Sequence, residues 1–317
     1  MTGSGSARTN PPGIVPAMPD AAACPVRTRA APSAKQHGSI AMSEDLSRYA
    51  AFEHLRFDRP APYVLRVTID NAAKMNAIGG KLGHEIEEVW AIVDADPETR
   101  AAIVTGAGRA FSAGGSFDDM PNDVDRDHLE QFCHDFGNAR RLVHALTTMR
   151  KPLVSAINGP AVGAGLAIAL LADIPIAAKT AKLFDGHLRI GVSPGDHAAM
   201  IWPLLCGLAK AKYHLLTNEP VTGEQAEAMN LIALSVDAEQ LQNKAVEVAS
   251  KLAATAPNAL RMSKYVLNHF LRQNQTVFDL SAAFEMVNFG SSEAKEALRA
   301  LQAKETPVFP PASEDFY

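Results

Sequence analysis

The chain has 317 residues, 47% of them hydrophobic and 21% charged, with a formal net charge of −5. That is a globular composition with ample core; its acidic balance supplies no basic surface for nucleic acid or an anionic membrane, and its longest apolar run, Ala161–Leu171, is too short to span a bilayer. The three cysteines, Cys24, Cys133 and Cys206, are odd in number and lack ligand-like spacing, which points to a reducing, cytoplasmic setting rather than a disulfide framework.

Residues 1–41 are rich in Ala, Pro, Gly and Ser and set one acid, Asp20, against Arg8, Arg27, Arg29 and Lys35. They show no periodicity, so a disordered extension over residues 1–45 is expected. It reads either as an acid-poor transit peptide or as a dispensable leader before a start at Met42. Pro-Pro and Gly-Ser interruptions favour the second.

Tyr63–Ile69 alternates as a half-buried strand, the polar loop Asp70–Ala77 follows, and Leu82–Val93 has apolar residues at helical spacing. Ala101–Gly106 is apolar throughout, as a buried strand would be, and runs into the glycine loop Ala107–Gly115. Asp127–Met149 reads as a long helix; its histidines, His128, His134 and His144, are not spaced as metal ligands, and no metal is predicted. Leu153–Ile157 is another buried strand. It turns through Asn158-Gly159-Pro160, crosses Gly163-Ala164-Gly165 and enters the helical run Leu166–Leu171.

Ile174–Ala178 is a further strand. Pro194-Gly195-Asp196 before the apolar run Ala198–Leu205 resembles a helix start, which would make Asp196 an N-cap. Thr222–Gln225 opens a short helix, and Leu241–Ala254, Ala259–Phe270 and Val277–Asn288 read as helices. Strands alternate with helices through Val236 and helices alone follow. The class is α/β with a helical tail, an α/β core over 46–255 and a helical region over 256–317.

A small-residue turn between a buried strand and a buried helix leaves backbone N–H groups unpaired, and the helix dipole favours an oxyanion there. One such turn is a common packing device; two suggest a pair of donors converging on one oxygen. The two stretches, GAGRAFSAGG at 106–115 and KPLVSAINGPAVGAGLAIALLAD at 151–173, closely resemble the enoyl-CoA hydratase/isomerase (crotonase) family. The resemblance continues through Leu183–Gly195 and Leu215–Ile232 and extends from Phe52 to Phe289. It implies a crotonase-like spiral of ββα units whose C-terminal helices pack subunits into a homotrimer or dimer of trimers. It also implies a small-molecule acyl-CoA or related carbonyl substrate, with CoA part of the substrate and no separate cofactor.

Carried over by residue, the family's oxyanion donors fall on the backbone N–H groups of Ser112 and Ala164. Ala110, Gly115 and Trp202 fall among substrate contacts. Lys74 or Arg59 is placed to meet a CoA phosphate, or else is a solvated surface cation. Where the family usually carries Asp, this chain has Ser116. The two glutamates that hold water and move the proton in typical hydratases fall on Ala167 and His187, so the usual two-glutamate hydration has no carboxylates at its usual positions. His187 remains, with Asp196 and Asp185. An imidazole beside a carboxylate has a fixed tautomer and can take a proton from water near neutral pH; the other reading of His187 is a polar filler of the vacated space. The spacing His187…Pro194-Gly195-Asp196, followed by Trp202-Pro203, is similar to the oxocamphor hydrolase branch, which cleaves cyclic β-diketones. The match is partial: a further histidine of that branch falls on Gly165, and Glu285 matches a glutamate of it only across a gap.

Three functions follow as expectations. The first is an enoyl-CoA hydratase/isomerase-like lyase in which a His187–Asp196 pair replaces the two glutamates. The second is a β-diketone carbon–carbon bond hydrolase, and the third a non-catalytic acyl-CoA binder. The irregular loop Pro121–Asp127 is expected to shape the acyl pocket.

Overall fold

The computed structural model describes residues 45–116, 128–309 and 311, with the side chains of 128 and 131 excepted. The N-terminal extension and the 121–127 loop lie outside the described residues. The described residues form one unit.

A six-stranded sheet has the order β1-β2-β3-β4-β6-β9: β1 is Leu55–Ala61, β2 Val64–Ile69, β3 Ala101–Gly106, β4 Leu153–Ile157, β6 Ile174–Ala178 and β9 Leu234–Val236. Only β1 pairs antiparallel. Every residue of β3 and β4 is buried, which is why they read as unbroken apolar runs; a parallel strand is covered on both faces. Because β2, β3, β4 and β6 run in one direction, their C-terminal ends share one edge, where ligands of open α/β sheets collect. Both glycine loops leave from that edge. A small second sheet, β5 (Ala161–Val162), β7 (Lys182–Phe184) and β8 (Val221–Thr222), stands beside it in the order β5-β7-β8.

Eleven helices complete the described residues: α1 Gly80–Ala95, α2 His128–Thr148, α3 Gly163–Leu171, α4 Ala198–Cys206, α5 Leu208–Thr217, α6 Gly223–Ala228, α7 Leu241–Ala254, α8 Pro257–Leu267, α9 His269–Gln273, α10 Gln275–Phe289 and α11 Ser292–Ala303. α1 buries Leu82, Ile86, Val89, Trp90 and Val93, the stripe its spacing predicts. α3 is buried on nearly every side, so its apolar run has no polar face to show. α6 opens with a capping box between Thr222 and Gln225. The helix expected over Ala259–Phe270 is two, α8 and α9, parted at Asn268, whose side chain donates to the Thr147 carbonyl at 3.1 Å. α5 and α11 are not anticipated by the sequence reading. No helix among the described residues is long and apolar enough to cross a membrane.

One side chain locks the first glycine loop. Asn76 is fully buried in the left-handed region at φ 57°. Its Nδ2 donates to the carbonyls of Ala107 (2.9 Å), Ala110 (2.9 Å) and Phe111 (3.2 Å), and its Oδ1 accepts from the Asn71 amide at 2.9 Å. Asn76→Ala strands those groups and puts alanine in a conformation asparagine tolerates better. The expected loss is about 2–4 kcal/mol, measurable by urea unfolding; a loss within 0.5 kcal/mol would overturn the assignment.

Candidate active site

The two glycine loops run side by side. Ser112 and Ala161 form a parallel bridge, with the Val162 amide donating to the Ser112 carbonyl at 3.1 Å. The Ser112 hydroxyl donates to the Asn76 carbonyl at 2.7 Å and accepts from the Gly114 amide at 3.2 Å. The amide of Ser112, the expected oxyanion donor, donates to the Pro160 carbonyl, 3.1 Å away. Gly115 is different. It is exposed, its amide has no partner among the described residues, and a Cβ built there would meet nothing within 4 Å. The Ala164 amide, in the first turn of α3, is likewise without a partner among the described residues. Gly115 and Ala164 are therefore two donors of these loops without a partner among the described residues, as are the amides of Gly108 and Gly165. Sequence reasoning placed Gly115 only among substrate contacts; nothing in the sequence shows which amide of a loop its neighbours consume.

The other carried-over residues divide. Gly165 cannot bear a side chain, since its Cβ would lie 2.4 Å from that of Ser112; this accounts for the missing histidine. Ala110 is buried, with its carbonyl accepting from Asn76 and Asn158. Trp202 is a fully buried core residue of α4. Lys74 is exposed at the end of the short turn Ala72–Lys74. Arg59 does not face solvent: its guanidinium pairs with Asp96 at 2.8 Å and its side chain is 5% exposed, so it is withdrawn from any phosphate.

His187 begins a short 3-10 turn, His187–Ile190, after β7 and is 8% exposed. Three carboxylates surround its ring. Asp185 Oδ2 lies 2.9 Å from Nδ1. Glu285 Oε1, reaching in from α10, lies 3.2 Å from Nε2, and Asp196 Oδ2 stands 4.0 Å from the same nitrogen. Glu285, which the sequence aligned only across a gap, is thus in the cluster. Asp196 is not the N-cap of α4; that residue is His197, and its side chain caps nothing. The cluster abuts the second glycine loop: a Cβ on Gly163 would lie 3.8 Å from both Asp196 Oδ2 and His187 Cε1, and the Gly163 amide donates to the Asp185 carbonyl at 3.0 Å.

With Asp185 at Nδ1 and Glu285 at Nε2, the ring can donate to both as an imidazolium. Burial works against that charge, but Asp185, Glu285 and Asp196 together more than offset it and raise the His187 pKa well above the usual 6.5. A raised pKa favours the protonated ring, the opposite of the accepting role expected for it. The two carboxyls at Nε2 are pushed in opposite directions. Burial raises Glu285 despite His187, whereas in Asp196 the pull of His197 and His187 overcomes burial and lowers it. Asp196 Oδ2 and Glu285 Oε2 are buried and accept no hydrogen bond among the described residues. Paired titratable groups driven apart in this way mark an acid and a base.

Asp185, His187 and Asp196 also place three possible metal-ligand atoms within 4.8 Å of one another. His187 Nδ1 is already held by Asp185, which leaves the group internally neutralised in part without an ion.

The family model described as enoyl-CoA hydratase/isomerase matches residues 61–310. The short-chain-enoyl-CoA hydratase of Clostridium acetobutylicum is 30% identical over 75% of this chain and 90% of the relative's own length. The 1,2-epoxyphenylacetyl-CoA isomerase of Escherichia coli is 29% identical over 78% of this chain and 94% of its own. Among solved structures, an enoyl-CoA hydratase/isomerase from Mycobacterium paratuberculosis superposes with a TM-score of 0.72 at 28% identity, covering 78% of this chain and 97% of that one. With its parallel sheet and paired glycine loops, the chain belongs to the enoyl-CoA hydratase/isomerase family.

Proposed function

We propose that the chain is a hydratase/isomerase-like enzyme acting on an acyl-CoA thioester, with Asp196 and Glu285 in the place of the family's usual two glutamates. The observation that carries this reading is the buried cluster in which Glu285 Oε1 and Asp196 Oδ2 lie 3.2 and 4.0 Å from His187 Nε2, set against the N-terminus of α3. The Gly115 and Ala164 amides hold the thioester oxygen as it gains charge, each worth about 3–4 kcal/mol of barrier. In hydration, the Asp196 carboxylate takes a proton from the water that adds to the β-carbon. The Glu285 carboxyl gives its proton to the α-carbon as the enolate collapses. In isomerisation one carboxyl removes a proton that returns to a different carbon. His187 stays charged throughout and holds the two carboxyls on either side of the reacting carbons.

The pH profile has a defined sense. Asp196 must be ionised, and its pKa is lowered, so activity rises through a limb below the ordinary carboxylate value. Glu285 must be protonated, and its pKa is raised, so activity falls through a limb above the ordinary 4.5. A bell bounded on its alkaline side by a group that disappears in Glu285→Gln is the expected result of kcat measured against pH. An alkaline limb unmoved in that variant removes Glu285 from the acid role.

A second reading, hydrolysis of a β-diketone carbon–carbon bond, is favoured by the place of Glu285 beside His187 and Asp196, the residue set through which the chain resembles the oxocamphor hydrolase branch. Crotonyl-CoA and a cyclic 1,3-diketone, each followed by loss of absorbance, separate the two. Turnover of the thioester is expected; turnover of the diketone alone would replace the first reading with the second. Tight binding of CoA esters with turnover of neither would reduce the chain to a carrier.

The C-terminal helices carry large apolar residues in the open, among them Tyr265, Phe270, Leu280, Phe284 and Val287. This face supports the proposal of a homotrimer. Light scattering should return three times the 33.8 kDa chain mass, and a single chain mass would overturn it.

A further inference from the structure

His197 is a buried titratable group that the mechanism above does not use. It is fully buried and occupies the N-cap position of α4 without capping the helix. Its Nδ1 lies at hydrogen-bond distance from Asp196 Oδ1, and its Nε2 has no partner among the described residues. The ring therefore makes one polar contact, and that contact is with the proposed base.

Resting on the reading of Asp196 as the base, we propose that His197 is a positioning residue: its Nδ1–H holds Asp196 Oδ1, which leaves Oδ2 ionised and turned toward the N-terminus of α3, where the substrate carbonyl would lie. A neutral ring is enough for this, since the Nδ1–H tautomer donates without a charge. Asp196 meets His197 from the start of α4, His187 from the 3-10 turn and Glu285 from α10, with Asp185 behind His187. The two imidazoles act differently. His187 divides its protons between Asp185 and Glu285 and stands 4.0 Å from Asp196. His197 gives its one bond to Asp196, and that bond is among the causes that lower the Asp196 carboxyl against burial.

The test is a kcat–pH profile on crotonyl-CoA or the diketone, whichever the protein turns over, for three variants. His197→Leu fills the space without a donor. His197→Asn puts a non-titrating donor near the Nδ1 position, and His197→Gln puts it near Nε2. His197→Leu is expected to lower kcat about 10–100-fold, the scale of a lost hydrogen bond to a charged group, with KM little changed. Its acidic limb should move up by about one to two pH units, because a carboxylate without its donor protonates more readily. His197→Asn should restore most of kcat and return the limb toward the parent position, and His197→Gln should not. In an Asp196→Asn background the leucine substitution should cost nothing more. A parental limb in His197→Leu, equal rates for Asn and Gln, or a full additional cost in the Asp196→Asn background each overturns the proposal. Where the leucine variant does not fold, the Asn and Gln comparison decides alone. Parental kcat in Asp196→Asn itself would remove the base assignment and this proposal with it, whereas a dead Asp196→Asn with an indifferent His197→Leu removes this proposal only.

Discussion

Asp196→Asn is expected to lower kcat by about 10²–10⁴ while leaving KM close to the parent value, the loss that follows removal of a positioned general base. The substitution keeps the shape of the side chain and an oxygen for His197 to bond. What it removes is the proton acceptor at Oδ2, the buried oxygen that accepts no hydrogen bond among the described residues. Removing one partner of a buried charge cluster also lowers stability. Circular dichroism and thermal unfolding therefore serve as controls that the variant is folded at the assay temperature. Turnover within a factor of two or three of the parent, in a folded Asp196→Asn protein, would leave the proposed chemistry without its base.

Gly195→Ala is the second large effect, and it reaches the site through packing. A Cβ at Gly195 would lie 2.4 Å from the Glu285 Cβ, 2.3 Å from its Oε2 and 2.7 Å from the Ser281 carbonyl. The Ser281 hydroxyl donates to the Gly195 carbonyl at 3.1 Å, so α10 and this loop are already in direct contact. No rotamer of Glu285 relieves a clash that involves its own Cβ and a helix carbonyl; α10 has to move. Overpacking of this kind costs about 1–3 kcal/mol, and the displaced Glu285 leaves His187 Nε2. The expected result is a lower melting temperature together with a fall in kcat as large as that of Glu285→Gln. A stable Gly195→Ala protein with parental kcat would show that Glu285 has no part in turnover.

Much of the fold was legible because its signals are local. β3, β4 and β6 match the apolar runs Ala101–Gly106, Leu153–Ile157 and Ile174–Ala178 end to end, and α7 matches Leu241–Ala254. Burial on both faces leaves an unbroken run that composition alone reveals. α5 and α11 were missed because what they bury is mostly alanine, Ala211 beside Leu215 in α5 and Ala294, Ala297 and Ala300 in α11, which marks a core face only weakly. The split at Asn268 depends on a bond to Thr147, more than a hundred residues away. The site follows the same division. His187 and Asp196 stand in one segment, and their proximity was legible there; the bond that occupies the Ser112 amide was not, because its partner, Pro160, lies in another strand's loop. Glu285 was only weakly placed, since it reaches the cluster through a contact with Gly195 that no spacing encodes. Arg59 drew attention as a lone cation, whereas Asp96 holds it from α1's far end.

The origin of Glu285 has a consequence for how this chemistry can diversify. In the proposed mechanism the carbonyl is gripped by loops of the sheet, but the acid is delivered by α10, a late helix whose outer side bears Leu280, Phe284 and Val287. Grip and delivery are thus inherited on separate lengths of polypeptide. Changes confined to the late helix can redirect what happens to a captured thioester while leaving its capture intact, and a neighbour leaning on that outer side would tune turnover without ever touching the substrate.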